Sequence, residues 1–201
     1  MSARDEILAR VREAIAPASP SDRQVPRDYR TRTEDGIDRF IERLHHYQAR
    51  TQRIAAGRLE KGVRATLADR GVHRVLAPDG IPDGWLKNLE RLTDTPPLDP
   101  RALDGVDGVI TTCALAIAQT GTIILDGSAG MGRRALSLVP DYHLCVVRAD
   151  QIVGSVPEAI AKLDATRPLT FISGPSATVD IEMVRVGGVH GPRRLEVIIA
   201  E

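Results

Sequence analysis

Aromatic side chains are scarce: one Trp, three Tyr and two Phe make up 3% of 201 residues. A core must therefore be filled by Ala, Val, Ile and Leu, which suits helices packed on a sheet. It excludes the stacked-ring platforms on which single-stranded nucleic acids are read. Cysteine is equally sparse. Cys113 and Cys145 are the only two, each in an apolar stretch, too few for a disulfide framework or a metal-ligand spacing. They read as buried thiols of a reducing compartment. Charge of one sign is also lacking, since 27 basic residues offset 27 acidic ones. A balanced chain has no global field to hold a phosphate backbone, so nucleic acid is not an expected partner. Nor is a membrane, because no apolar run reaches spanning length. The first residues, MSARDEILARVREAIA, are charged and amphipathic without the apolar centre of a secretory leader. The expected location is the cytoplasm.

What is present is an ordinary globular composition, 42% hydrophobic and 27% charged. Only Lys61, Lys87 and Lys162 are lysines; the other basic residues are arginines. Ile7, Leu8, Val11 and Ile15 fall on one face of a helix that Pro17 ends, and a Pro-, Ser- and Arg-rich stretch follows. Residues 1–33 thus read as an N-terminal helical arm and 34–201 as the main domain. Residues 34–70 carry a helical stripe through Ile37, Phe40, Ile41 and Leu44, continued less regularly by Ile54, Val63 and Leu67. One broken helix or two consecutive ones fit equally.

Beyond Arg74 the rhythm becomes strand and turn. Strands are expected at 74–77, 106–112, 114–118, 122–125, 142–148, 169–173 and 194–200. Helical segments are expected around Trp85, Leu86, Leu89 and Leu92, at 133–138, at 156–163 behind Pro157, and at 176–183. Alternation of this kind describes an α/β fold with a largely parallel sheet flanked by helices.

Four glycine-containing segments lie beside strands, where open α/β sheets bind ligands. In the first, the amide and hydroxyls of Thr120 and Gly121 either fix a polar ligand or simply close a β-hairpin. The second runs Gly127-Ser128-Ala129-Gly130-Met131-Gly132-Arg133-Arg134. It has the outer glycine spacing of a phosphate-binding loop but lacks its Lys and Ser/Thr, so nucleotide hydrolysis is not supported. A carboxylate or phosphate held by amides, Ser128 and Arg133 is one reading, and a flexible surface loop is the other. The third holds Gly174, Ser176, Thr178, Asp180 and Glu182, either a second anion pocket with acids placed for proton transfer or a helix cap. The fourth places His190 and Arg193 before the last strand. His190, with His143, forms a candidate acid–base pair near neutral pH, the alternative being an ordinary loop histidine. No metal motif emerges.

The runs TGTIILDGSAGMGRRALSLVPDYHLCVVRADQIV, ISGPSATVDIE and GVHGPRRLEVIIA, in that order, resemble the LUD domain of the lactate utilisation protein C family from about Val106 to the end of the chain. The resemblance implies a fold of the NagB/RpiA/CoA-transferase-like group. It also implies a subunit of a three-part system oxidising L-lactate to pyruvate, with iron–sulfur proteins as partners and no cofactor of its own. Its matching positions include Thr120, Gly121, Asp141, His143, Gly174, Ser176, Asp180, Glu182, His190 and Arg193. Where the family commonly has an acid before the Thr-Gly turn, this chain has Gln119, which cannot act as a carboxylate nucleophile. The alternative function is a free-standing enzyme acting on a sugar phosphate or acyl-CoA.

Overall fold

A computed structural model describes residues 2–15, 26, 28–178, 186–188 and 191–201. The chain divides into two compact units, Met1–Arg30 and Thr31–Glu201. The first contains α1 (Ala3–Ile15).

The second unit runs α2 (Ile37–His46), β1 (Arg50–Ile54), α3 (Leu59–Asp69), β2 (Arg74–Leu76), β3 (Glu90–Leu92), α4 (Pro100–Asp104) and β4 (Gly108–Thr111). It continues with β5 (Leu115–Ile117), β6 (Thr122–Leu125), β7 (Tyr142–Arg148), β8 (Ile152–Val153), α5 (Val156–Lys162), β9 (Thr170–Ile172), β10 (Ala177–Thr178), β11 (Val186–Gly187) and β12 (Arg194–Ala200). Six strands form one sheet in the order β1-β12-β7-β4-β2-β3, every pair parallel. A second sheet, β8-β5-β6-β9, is mostly antiparallel. The expected α/β architecture with a largely parallel sheet is therefore present.

The central strands explain the layering. In β7, Leu144 and Val146 pack toward Val63 and Leu67 of α3, while Cys145 and Val147 face Phe40 and Leu44 of α2. β12 alternates likewise, with Ile198 on the α3 side and Val197 and Ile199 on the other. Strands apolar on both faces are what a covered parallel sheet requires. Each fully buried aliphatic side chain contributes about 1.5–3 kcal/mol. The small sheet shares with α2 the core on this face of the large sheet, with Ala116 and Ile123 clustered with Cys145 and Val147 and Ile124 facing Ala159 of α5. That helix starts at Ser155, whose hydroxyl accepts from the Glu158 amide while the Glu158 carboxylate accepts from the Ser155 amide.

Three expectations are corrected. The stripe over 34–70 is two helices separated by a strand, because Arg50–Ile54 pairs with β12 as the sheet's edge. Trp85 and Leu86 belong to a short 3-10 turn, and Leu92 to β3, so no α-helix joins them. Residues 177 and 178 pair antiparallel with 187 and 186, which rules out a helix starting at Ser176. The rest of that expected helix lies outside the described residues.

Candidate functional site

In the six-stranded sheet, β2 hands the chain outward to β3, whereas the next strand of the sheet after β4 is β7, on the other side. The loops leaving β2 and β4 therefore diverge, and this divergence opens a crevice at the carboxyl edge of the sheet. The glycine-rich turn sits in it. The Gly130 amide donates to the Asp79 carbonyl at 2.6 Å, and the Gly130 carbonyl accepts from the Thr112 amide at 2.8 Å. The turn is thus stitched to both diverging loops. Gly130 has φ +79, and a Cβ there would stand 2.5 Å from Thr112 Oγ1. Gly130→Val is expected to cost roughly 2–3 kcal/mol through strain and overpacking, read as a lowered melting temperature. An unchanged melting temperature would show that the turn is not fastened as described.

Three more amides of this turn are committed locally, whereas those of Gly127 and Ala129 have no hydrogen bond among the described residues. Ser128 N–H donates to Asp126 Oδ1 at 3.0 Å, and the amides of Met131 and Gly132 donate to the Ser128 carbonyl. Arg133 is committed too: Asp94 Oδ2 and Oδ1 accept from it at 2.6 and 3.0 Å, and the Leu98 carbonyl at 2.7 Å. The helical segment beyond is only the four-residue 3-10 turn Arg134–Ser137, so the expected amide cradle at a helix start is not built.

A cleft of about 440 Å³ opens beside the turn, between it, the ends of β4 and β7, and the segment following α5. Arg148, Lys162 and Arg167 line it together with Asp126, Ser128 and Gln151. Gln151 is nearly buried and holds the wall, its Nε2 donating to the Cys113 carbonyl at 2.6 Å and its Oε1 accepting from the Arg148 amide at 2.9 Å. Asp126 pairs with Arg167 at 3.3 Å and accepts from the Ser128 hydroxyl. Burial raises its carboxyl, but the Ser128 bonds and Arg167 outweigh that, leaving it below the usual range. Lys162 has no ion pair among the described residues. Cys113 forms part of the wall; the adjoining Cys145 thiol and burial push its thiol well up, so it stays protonated at neutral pH.

The LUD domain model matches residues 100–200, from α4 through β12. A Lactate utilization protein C from Deinococcus radiodurans is 49% identical over 168 residues, covering 81% of this chain and 78% of that protein. The chain belongs to the LUD domain family. A second Lactate utilization protein C, from Shouchella clausii, is 34% identical over 99 residues, 46% of this chain and 43% of that one. The crystal structure of a DUF162 family protein from Deinococcus radiodurans superposes with TM-score 0.69 at 43% identity, covering 82% of this chain and 95% of that chain.

Within this LUD domain, the residues singled out from the sequence do not converge. Gly127, Ser128, Gly130 and Arg133 lie at the carboxyl edge. Thr120 and Gly121 close the β5–β6 hairpin at its other end, against Arg43 of α2, roughly 13 Å away along β6. The Thr122 hydroxyl bonds Thr120 and Ser173 there, at 2.7 and 2.8 Å, which places Gly174 at that end as well. Arg193 precedes β12 at the amino edge and pairs with Asp141. Ser176 donates its amide to the Pro192 carbonyl beside it, and Thr178 belongs to β10. Asp180, Glu182 and His190 lie outside the described residues. Among the described residues these loops are divided between two separate edges rather than gathered in one pocket.

The acid–base role expected of His143 is corrected as well. Its ring is fully buried on β7, with Nε2 2.7 Å from Thr111 Oγ1, and burial lowers its pKa to about 4. It is uncharged and out of reach of a ligand at neutral pH. Sequence reasoning missed Arg148, Gln151, Lys162 and Arg167, which carry no motif. Their signal was positional: Arg148 ends a strand at the carboxyl edge, and Lys162 ends the helix of the following crossover.

Proposed function

We propose that this chain is a subunit of an L-lactate utilisation system, which oxidises L-lactate to pyruvate, and that it holds a small anionic ligand in the carboxyl-edge cleft while acting beside iron–sulfur partner proteins. The observation that carries the pathway is the 49% identity to a Lactate utilization protein C over most of both chains. The cleft supports the ligand class. Three cations face it: Arg167 pairs with Asp126 and Arg148 with Asp150, while Lys162 has no ion pair among the described residues. Asp164 is a second carboxylate in the lining, and Ser128 and Gln151 supply polar side chains along its wall. Charge-assisted bonds of this kind hold carboxylates and phosphates. The described lining contains no histidine, and its one thiol is protonated at neutral pH, which favours binding over proton transfer.

The test is growth on L-lactate of a strain lacking this protein, complemented by the parent or by Arg148→Glu/Lys162→Glu. Both side chains stand at the cleft margin. The doubly reversed variant should abolish growth on lactate, spare growth on glucose, and keep the parental melting temperature. Parental growth on lactate would remove the cleft from the function. Calorimetric titration with L-lactate, pyruvate and inorganic phosphate then identifies the anion that the parent binds and the variant does not.

A further inference from the structure

A second depression of about 500 Å³ lies away from the cleft, between the outer face of α3 and the residues preceding β3. Its floor is apolar, made by Ala65 and Ala68 of α3 with Val72 and Leu89. Its margin is basic, with Lys61 and Arg64 on one side and Lys87 on the other, and His73 closing one end. Among the described residues no acidic side chain lines it. Arg64 is partly neutralised by Glu60 at 2.6 Å, but Lys61 and Lys87 have no ion pair among the described residues. Two of the chain's three lysines thus face each other across one groove.

The position is informative. Val72 and His73 immediately precede β2, and Asn88 and Leu89 immediately precede β3, so the groove opens at the amino edge of the sheet. The ligand cleft opens at the opposite edge, and whatever occupies the groove leaves that cleft accessible. Asn88 is held at φ +70, a left-handed conformation unusual for a residue other than glycine, at the bend between Lys87 and Leu89.

We propose that this groove docks an acidic amphipathic segment of a partner protein. Apolar side chains of the segment would rest on Ala65, Ala68 and Leu89, and the small size of the two alanines lets a backbone approach α3 closely. Its carboxylates would meet Lys61 and Lys87. Charge complementarity at such margins sets partner choice and association rate, and it weakens with salt. A nucleic acid fits less well, because the floor offers no aromatic ring for a base to stack on. The proposal stands apart from the ligand assignment, since none of its residues lines the carboxyl-edge cleft.

The experiment uses the full chain and a fluorescein-labelled peptide with Glu and Leu placed at helical spacing, followed by fluorescence anisotropy. Saturable binding at low salt is expected, weakened at least about tenfold in Lys61→Glu/Lys87→Glu. Both lysines are exposed, so this variant should fold normally. Ala68→Trp fills the floor without changing charge and should weaken binding to a similar extent. A peptide with Lys in place of each Glu should not bind. Equal affinity of parent and charge-reversed protein would overturn the proposal. So would full affinity in Ala68→Trp, or an oligothymidylate binding more tightly than the acidic peptide.

Discussion

Arg70→Ala is expected to lower the unfolding free energy by about 3 kcal/mol, because it leaves a carboxylate inside the protein without its cation. Glu196 on β12 is only 2% exposed. Arg70, at the end of α3, donates Nε to one of its oxygens at 2.7 Å and Nη2 to the other at 3.2 Å. Gln52 donates to the second oxygen at 2.9 Å, and the Tyr142 hydroxyl to the first at 3.3 Å. Burial alone would raise the Glu196 pKa, but the bonds from Arg70 and Gln52 outweigh it and hold the group below its ordinary 4.5. The sign follows. This stabilisation is present above the unfolded carboxylate range and is lost as pH falls through the lowered folded value. Urea denaturation at neutral pH measures the loss, and Arg70→Lys should recover only part of it, since one ammonium cannot match the fork. A loss under about 1 kcal/mol for Arg70→Ala would mean that Gln52 and Tyr142 suffice to hold the charge.

His143 gives the second large effect, with the opposite chemistry. The folded chain holds its imidazole neutral down to about pH 4, whereas the unfolded chain takes up a proton near 6.5. Between those values the unfolded state binds more protons, so stability is full above 6.5 and falls as pH drops toward 4. The total is about 3 kcal/mol at 1.36 kcal/mol per unit. The difference in urea midpoint between the parent and His143→Gln isolates this window from that of Glu196, which lies lower. The parent should lose stability between pH 6.5 and 4 more steeply than the variant. Parallel curves would show that the ring takes up its proton alike in the folded and unfolded chain.

Much of this fold was legible because its centre is apolar on both faces. YHLCVVR and RLEVIIA allow no reading other than buried strands, and both appear at the expected residues. TIIL, flanked by the Thr-Gly turn, was equally plain. The failures lie at the margins. RTQRI on the sheet's edge has a polar pattern like that of any exposed segment, and it follows an unambiguous helical stripe. Leu86, Leu89 and Leu92 have helical spacing by coincidence, since Leu92 is fixed by pairing of β3 with β2, a tertiary contact that no local window contains. The candidate site was the least legible part. The glycine-rich segment was placed beside its strand correctly, but whether an amide faces a ligand or a neighbouring carbonyl depends on two loops far away in sequence, at Asp79 and Thr112. Arg133 is the clearest case: its charge suggested an anion site, and its partner is Asp94.

The stitching of the glycine-rich turn has a thermodynamic corollary. A wall already fastened through the Gly130 amide and carbonyl before any guest arrives has little conformational freedom left to surrender, so capture of a guest there avoids the ordering penalty that a floppy lip would impose. Backbone coordinates of the empty and filled forms should superimpose along this stretch, with only the long basic side chains changing rotamer.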